Sequence, residues 1–375
     1  MPLNKKQSYR IALLPGDGIG KEVMPPAVDV LETVGRRFGF EFKWTEFDWG
    51  CERLLRTGSM MPADGLAQLR DFDAILLGAV GWPGVPDHVS LWGLLVPIRR
   101  EFRQYVNLRP VRLYPGLKSP LVGRRPEDIN FVIVRENNEG EYSQIGGRIY
   151  QGTDDEVVIQ ETVFTRRGVD RILTYAFELA RSRPRHNLIS ATKSNGIVHT
   201  MPYWDERFAA MAGRYPDIKT AQYHIDILVA HFVMHPDWFD VVVGSNLFAD
   251  ILSDLGPALT GSIGLAPAAN INPERDFPSM FEPVHGSAPD IAGKNIANPI
   301  AQILSGAMML DHLGQAEAAA VIDGAVAGLL ADEKGLRTRD LGGHAGTDEV
   351  GKALALMCAD TAVARTKQTV APGAR

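Results

Sequence analysis

The chain is poor in cysteine and lacks a long hydrophobic run. Its 375 residues include only two cysteines, Cys51 and Cys358, which form neither a disulfide framework nor the paired spacing of a zinc site. The apolar run at residues 11–14, after a polar N-terminus, is far too short for a signal-peptide core or a membrane span. These absences favour a soluble protein of the reducing cytoplasm with no membrane partner.

An excess of positive charge is also absent. Lys and Arg number 39 against 45 Asp and Glu, so the formal net charge is −6. A mildly acidic balance gives no support for binding to nucleic acid or to an anionic membrane surface. The 45% hydrophobic and 22% charged residues are typical of a globular protein, and the length favours two domains. No internal repeat or obvious linker separates them, which favours domains interleaved along the chain.

Apolar runs and helical patterns alternate along the chain, which predicts an α/β fold. A helix is predicted over residues 91–105, whereas residues 256–299 are punctuated by Gly and Pro and no strand is predicted there. Polar and charged side chains follow the ends of several strands, where open α/β sheets carry their sites. The predicted buried strands include residues 10–14, 74–78, 129–134, 188–191 and 239–243.

The glycine fingerprint of dinucleotide-binding folds is missing. The turn PGDGIG at residues 15–20 follows a predicted strand and precedes a predicted helix, and Gly16 and Gly18 have the first spacing of that fingerprint. Lys21 stands where its third glycine belongs, and no P-loop spacing follows either. The residues leave two interpretations open, a tight turn between strand and helix or a ligand loop.

Two aspartates follow the apolar run at residues 239–243. Asp250 and Asp254 are four residues apart in a predicted helix, so they share one helical face. A carboxylate pair on one turn suits a hard divalent cation such as Mg²⁺ or Mn²⁺, and Asp226 earlier in the chain could add a third oxygen ligand. Two solvated aspartates are the alternative interpretation.

Three arginines stand at the ends of predicted elements, Arg99, Arg109 and Arg135. Guanidinium groups bind carboxylates in a bidentate way, so three converging arginines would suit a di-acid. Arg100 and Arg103 lie on the same predicted helix as Arg99, and a solvated helix face explains them equally well.

Tyr142 and Lys193 are candidates for proton transfer. Tyr142 lies in a polar, glycine-containing loop, where a tyrosine can donate a proton but is more often a packing residue. Lys193 follows a predicted strand and could act as a base in a site crowded by cations, with an ordinary surface lysine as the alternative. The segment EPVHGSAPD at residues 282–290 is rich in loop formers, and an Asp near such a loop could bind the hydroxyls of an adenosine ribose.

Six segments in this order resemble the β-decarboxylating dehydrogenases, the family of isopropylmalate, isocitrate, tartrate and D-malate dehydrogenases. The resemblance covers nearly the whole chain, and several motifs in the right order are more specific than any one of them. The segments are residues 14–20 (LPGDGIG), 107–110 (NLRP), 134–137 (VREN), 193–195 (KSN), 246–255 (NLFADILSDL) and 281–293 (FEPVHGSAPDIAG).

The resemblance implies a role for each candidate residue. Tyr142 matches the general acid of the family, and Lys193 matches the lysine that handles the proton of the substrate hydroxyl. The implied substrate is a small hydroxy di-acid. The residues implied to bind it are Arg99, Arg109, Arg135 and Asn195.

The resemblance also implies a Mn²⁺ or Mg²⁺ site with Asp226, Asp250 and Asp254 as ligands. In the family, the lysine and the first aspartate enter the site from the neighbouring subunit. A homodimer with shared active sites is therefore implied. A monovalent cation is a further candidate cofactor, which the sequence leaves open.

NAD is the implied redox cofactor. NAD-dependent members of the family carry Asp where Asp290 stands, and a carboxylate there would repel the 2′-phosphate of NADP. The residues implied to bind the cofactor are Glu282, His285, Gly286, Ser287, Ala288, Asp290 and Asn298.

The implied fold is α/β, the isocitrate/isopropylmalate dehydrogenase-like two-domain fold, and not a Rossmann fold, in agreement with the failed glycine fingerprint. Both chain ends, residues 1–106 and 262–375, would form the large NAD-binding domain. Residues 107–261 would form the smaller domain, with the dimer contact and the metal ligands.

Substrate choice in the family is set just before Arg99. Here residues 88–97 read HVSLWGLLVP, whose bulk would shrink the pocket. Residues 87–93, with their continuation to Arg112, resemble the tartrate and D-malate branch. A compact C4 di-acid is the first choice for substrate. The alternatives are a 3-isopropylmalate dehydrogenase and a non-catalytic regulatory or binding homologue.

Overall fold

The apolar runs form the strands of one large sheet. The structure is a computed structural model that describes residues 6–360. The strands in this part of the chain are β1 Ser8–Gly16, β2 Glu41–Glu46, β3 Ala74–Ala79, β4 Val106–Arg112, β5 Asn130–Glu136, β6 Gly146–Ile149, β7 Val157–Gln160, β8 Asn187–Thr192, β9 Lys219–His224, β10 Val241–Gly244, β11 Pro267–Ile271 and β12 Ser279–Pro283.

Helices alternate with these strands, as the sequence predicts for an α/β fold. They are α1 Gly20–Phe38, α2 Cys51–Thr57, α3 Gly65–Leu69, α4 Asp87–Ser90, α5 Val96–Glu101, α6 Arg166–Ser182, α7 Thr200–Ala212, α8 Ile225–Met234, α9 Asn246–Thr260, α10 Ile300–His312, α11 Ala316–Ala331 and α12 Thr347–Ala359.

The sheet has ten strands in the order β2-β1-β3-β12-β11-β4-β5-β10-β8-β9. The first five come from the two chain ends and are called the end half here; the last five come from the middle of the chain and are called the middle half. The halves join where β11 pairs antiparallel with β4, over residues 269–271 and 106–108. The predicted division into two domains follows the same strands, but its boundaries stay a prediction, and residues 1–5 and 361–375 lie outside the described part.

Burial explains why these segments form strands. All six residues of β3 are buried, and so are all of β10, β11 and β12. Strands covered on both faces read as continuous apolar runs rather than as alternating ones. Helix α10 packs on β11 and β12, α6 on β5 and β10, and α9 on β4 and β5. The site residues at the strand ends are thereby held by a packed core.

The expectation for residues 256–299 was wrong, since they contain β11 and β12 in the centre of the sheet. Each of these strands has five residues, with Pro267 beginning one and Pro283 ending the other. Pro and Asn in the first strand, and Ser, Glu and Pro in the second, interrupt the apolar run that marks a buried strand. The helix predicted over residues 91–105 is also corrected, because a π-helical turn, Leu91–Leu95, precedes α5, which ends at Glu101.

The glycine-rich turn packs against the segment that follows β12. Gly18 has a positive φ of +54°, and a Cβ atom there would lie 2.1 Å from the Ser287 carbonyl oxygen. The Ile19 backbone N–H donates to that same carbonyl at 2.8 Å. Only glycine permits this approach of two backbones. The turn therefore supports the loop predicted to bind the cofactor.

In the part of the chain that the structure describes, no helix is both long enough and apolar enough to cross a membrane.

Candidate active site

Asp250 in α9 lies at the centre of the candidate site. Its carboxylate pairs with the Arg135 guanidinium, lies 3.4 Å from Arg109 Nη1, and accepts a hydrogen bond of 2.8 Å from Tyr142 Oη. Burial alone would raise the pKa of Asp250, but the two guanidinium groups outweigh it and hold that pKa below its ordinary value. Asp250 therefore stays ionised at neutral pH.

Arg99, Arg109 and Arg135, called the arginine cluster here, lie near this carboxylate; Arg109 and Arg135 pair with it, whereas Arg99 pairs with Glu282. Their side chains are only 10%, 11% and 3% exposed. Burial first, and the neighbouring arginines after it, lower the pKa of Arg135. Arg99 Nε is buried and has no hydrogen-bond partner among the residues that the structure describes. Buried cations crowded in this way favour an added anion, and planar forks suit carboxylates.

A buried path of hydrogen bonds connects two members of the arginine cluster across the joint of the sheet. Arg99 Nη2 donates to Glu282 Oε1 at 2.7 Å, and Glu282 accepts from Asn270 Nδ2 at 2.6 Å. Asn107 Nδ2 donates to Asn270 Oδ1 at 2.9 Å, and Arg109 Nε donates to Asn107 Oδ1 at 2.7 Å. We call this the amide path. It fixes Arg99 of the end half relative to Arg109 of the middle half.

Tyr142 stands where a proton donor is expected. Its ring lies against the Arg135 guanidinium, 5.4 Å from Cζ to the ring centroid. Burial, followed by the Asp250 charge, raises the pKa of the Tyr142 hydroxyl. The hydroxyl therefore keeps its proton at neutral pH, which suits a general acid.

Asp254 lies one turn after Asp250, and both carboxylates reach Arg109. The distance from Asp254 Oδ1 to Arg109 Nη1 is 3.9 Å, and the Asp254 side chain is 70% exposed. The pair presents oxygen atoms of the type that hard cations prefer.

Lys193 and Asp226 form a second group. Lys193 Nζ lies 3.0 Å from Asp226 Oδ2, and this contact lowers the pKa of Asp226. Asp226 is the second residue of α8, which follows β9 directly, and Asn195 is exposed in the turn beyond Lys193. Within residues 6–360, no three His, Cys, Asp or Glu side chains are placed to hold a metal ion. One chain thus brings Asp250 and Asp254 together without Asp226.

The predicted cofactor residues lie in the loop after β12. His285 is buried, and burial lowers its pKa so that the ring is neutral at neutral pH. Its Nε2 atom has no hydrogen-bond partner within residues 6–360. Such an orphaned buried nitrogen fits a site that a ligand completes. Gly286 and Asp290 are exposed, whereas Ser287 is buried and Ala288 has a φ of +37°.

Asn298 and Glu282 have partners that the sequence did not indicate. Asn298 Nδ2 donates to Asp340 Oδ2 at 3.0 Å, which ties the cofactor loop to the segment before α12. Glu282, predicted to bind the cofactor, pairs with Arg99 of the arginine cluster. Asn246, inside the motif at residues 246–255, accepts from Arg135 and was not singled out, although its place at the start of α9 was a usable signal.

Comparison with known proteins supports the same interpretation. The isocitrate/isopropylmalate dehydrogenase family matches residues 10–354. D-malate dehydrogenase [decarboxylating] of Escherichia coli (strain K12) is 61% identical, covering 93% of this chain and 98% of that protein. Tartrate dehydrogenase/decarboxylase of Pseudomonas putida is 57% identical, covering 92% and 97%.

A solved structure agrees in fold. Isocitrate dehydrogenase from Methylococcus capsulatus superposes with a TM-score of 0.84 at 35% identity, covering 94% of this chain and 100% of that chain. The α/β fold class inferred from the sequence is confirmed. The match extends over both halves of the sheet, and so the chain belongs to the isocitrate/isopropylmalate dehydrogenase family.

Proposed function

We propose that the protein oxidises a C4 2-hydroxy di-acid, D-malate or tartrate, with transfer of hydride to NAD and loss of CO₂. The observation that carries the proposal is the arginine cluster around Asp250 and Tyr142, which provides guanidinium forks beside a proton donor. The names of the relatives, D-malate dehydrogenase and tartrate dehydrogenase/decarboxylase, point to the same substrates.

The residues present fit both a divalent metal and NAD. Asp250 and Asp254, with Asp226 from a second chain, would hold Mn²⁺ or Mg²⁺, which supplies Lewis acidity for the hydroxyl and the adjacent carboxylate. The residues from His285 to Asp290, with Asn298, would hold NAD, which supplies the hydride acceptor. The unpartnered nitrogen of His285 supports this assignment.

The protein's own groups account for the remaining chemistry. The arginine cluster binds the two carboxylates and orients the substrate, with Asn195 as a further proposed contact. Lys193 removes the proton of the C2 hydroxyl as the C2 hydrogen leaves as hydride. The resulting β-keto acid breaks its C3–C4 bond, CO₂ departs, and the electron pair remains as an enolate. Tyr142 then gives its hydroxyl proton to C3 and regains one from solvent.

A homodimer would complete each site. The hairpin formed by β6 and β7 exposes apolar side chains, among them Ile149 at 55% and Val158 at 59%. Helices α8 and α9 expose Met234 at 49% and Ile251 at 49%. Exposed apolar side chains on a hairpin and on two helices are typical of an interaction surface. A partner covering it would place its own Lys193 and Asp226 beside the arginine cluster.

We further propose that the two halves of the sheet belong to two domains, residues 1–106 with 262–375 and residues 107–261. The antiparallel joint of β11 and β4 would lie between them, and the hairpin with the exposed apolar face would lie in the smaller one. We still predict that the protein is soluble and lies in the cytoplasm.

One assay decides among the candidate functions. NADH formation with Mn²⁺ is measured on D-malate, L-tartrate, meso-tartrate, 3-isopropylmalate and isocitrate. We expect kcat/KM to be at least about tenfold higher for a C4 acid than for the two larger acids, because one lost contact of 1.4 kcal/mol gives that factor. A preference for isopropylmalate would replace the proposal by its first alternative. Turnover of none of the five would favour a regulatory or binding homologue.

Asp290→Lys should shift cofactor preference toward NADP. The exposed carboxylate would repel a 2′-phosphate, whereas a lysine would attract it, and we expect a change of about tenfold or more in the NADP/NAD ratio of kcat/KM. Glu317→Lys, the same charge change at an exposed position of α11, serves as the control and should leave the ratio unchanged. An unchanged ratio in Asp290→Lys would assign the discrimination to another residue.

A further inference from the structure

Arg100 connects α5 to the loop that carries Tyr142. Its Nη2 donates to the Tyr142 carbonyl oxygen at 2.8 Å, and its Nη1 donates to Gln144 Oε1 at 3.2 Å. We call these two bonds the Arg100 bridge. The solvated helix face that the sequence allowed for Arg100 is therefore replaced by a specific contact. The bridge also crosses from the end of α5, next to Arg99, to the loop after β5.

Trp92 holds the Arg100 guanidinium in place. The guanidinium carbon lies 4.8 Å from the centroid of the Trp92 ring, a cation–π contact. Trp92 belongs to the π-helical turn Leu91–Leu95, a wider turn that is frequent at functional sites. A Cβ on Gly93 would lie 2.6 Å from Met60 Cγ, so this turn packs closely on the core. The segment expected to select the substrate thus also orients Arg100.

Tyr142 is held at both of its ends. Its hydroxyl donates to Asp250, and its carbonyl oxygen accepts from Arg100. The neighbouring Glu141 accepts from the Leu247 backbone N–H at 3.0 Å, which joins the loop to the start of α9. Beyond Tyr142 the chain enters the exposed hairpin, where Gln144 and the next residues lie at the surface. The Arg100 bridge joins the loop to α5 just before the loop reaches the surface.

We infer that Arg100 is a positioning residue for Tyr142. Its bridge holds the Tyr142 phenol where it can protonate the substrate carbon. The inference rests on the proposed function and deepens it. Through Trp92 and Arg100, the segment that selects the substrate is joined to the group that completes the reaction. Loss of the bridge should leave hydride transfer intact, because the Arg100 guanidinium donates to the Tyr142 carbonyl and to Gln144, and neither residue is assigned to that step.

The test uses the two fates of the β-keto acid. Oxaloacetate is supplied with NADH and Mn²⁺; its reduction is followed by NADH absorbance, and its conversion to pyruvate by proton NMR, with the uncatalysed rate subtracted. In Arg100→Gln we expect pyruvate formation to fall about tenfold while reduction stays within twofold, since misplacing a catalytic group slows only the step that uses it. Arg100→Lys, which keeps a charged donor, should regain most of the pyruvate rate.

Two controls separate positioning from general damage. Arg103→Gln removes a neighbouring arginine that pairs with Asp276 at 3.3 Å, and it should leave both rates within twofold of wild type. In a Tyr142→Phe background, Arg100→Gln should cause no further loss, because both act on one step. Equal loss of both reactions, or multiplying effects with Tyr142→Phe, overturns the inference. A wild type that neither reduces nor decarboxylates oxaloacetate overturns the proposed function for D-malate, and the inference with it.

Discussion

Two inactive variants, Lys193→Met and Asp250→Asn, should restore activity to each other when their chains exchange. Each alone should lose NADH formation by about a thousandfold, the range expected for a lost general base or a lost central charge. In a mixed dimer, one site would combine the intact Asp250 of one chain with the intact Lys193 of the other. Random exchange makes half of the dimers mixed, with one intact site each, so the mixture should reach about a quarter of wild-type activity.

The physical reason is the separation of the two groups within one chain. Lys193 pairs with Asp226 at 3.0 Å, whereas Asp250 pairs with the arginine cluster. The matched control mixes Lys193→Met with Asp226→Asn, whose altered residues enter the same site from the same chain, and this mixture should stay inactive. Exchange is checked independently with two differently tagged chains. If exchange occurs and the first mixture stays inactive, the shared active site is wrong.

Glu136→Gln should make the stability of the protein less sensitive to rising pH. Glu136 is 1% exposed, and burial, partly offset by Arg171, raises its pKa from 4.5 to about 7. Below pH 4.5 the carboxyl is protonated in both the folded and the unfolded protein. Above that pH the unfolded protein loses this proton first, so the free energy of unfolding falls until the folded carboxyl also ionises, at about pH 7. Between pH 5.5 and pH 8 the free energy of unfolding of the wild type should therefore fall by about 2 kcal/mol relative to that of Glu136→Gln. Urea unfolding of both proteins at the two pH values measures this difference.

The carboxyl of Glu136 is held in place by two backbone donors and one arginine. Its Oε1 accepts from the Asn138 N–H at 2.8 Å and the Glu139 N–H at 3.2 Å, and Arg171 Nη2 of α6 lies 3.6 Å away. These bonds shape the turn that leads to Tyr142. Glu127→Gln, at a side chain that is 61% exposed, is the control and should follow the wild type at both pH values. A constant difference between Glu136→Gln and wild type would contradict the raised pKa.

Much of the fold was predictable because buried parallel strands leave a continuous apolar signal. β3, β5, β8 and β10 carried that signal and were found. β11 (PAANI) and β12 (SMFEP) did not carry it, because Pro, Asn, Ser and Glu interrupt their apolar residues, yet they lie in the centre of the sheet. Their place is decided by the neighbours β3 and β4, which no local pattern reveals.

The candidate site divides in the same way. Asp250 and Asp254 could be paired from their spacing alone, since helix geometry fixes which residues share a face. Arg100 could not be distinguished from a solvated arginine, because its hydrogen-bond partners, Tyr142 and Gln144, lie more than forty residues further along the chain. The same holds for the amide path, whose members come from four separate segments. Sequence spacing reports contacts within an element, whereas contacts between elements depend on how those elements pack.

The amide path has a consequence for how this protein could change its substrate. Arg99 and Arg109 are tied through Glu282, Asn270 and Asn107 to backbone positions in β12, β11 and β4. The distance between these two guanidinium groups is therefore set by the β-sheet, as the spacing between its strands is. Substitutions in surface loops leave that distance unchanged. A longer or bulkier di-acid has to be accommodated at the segment around Trp92, so we expect variation in substrate size to arise there while the two carboxylate anchors keep their distance.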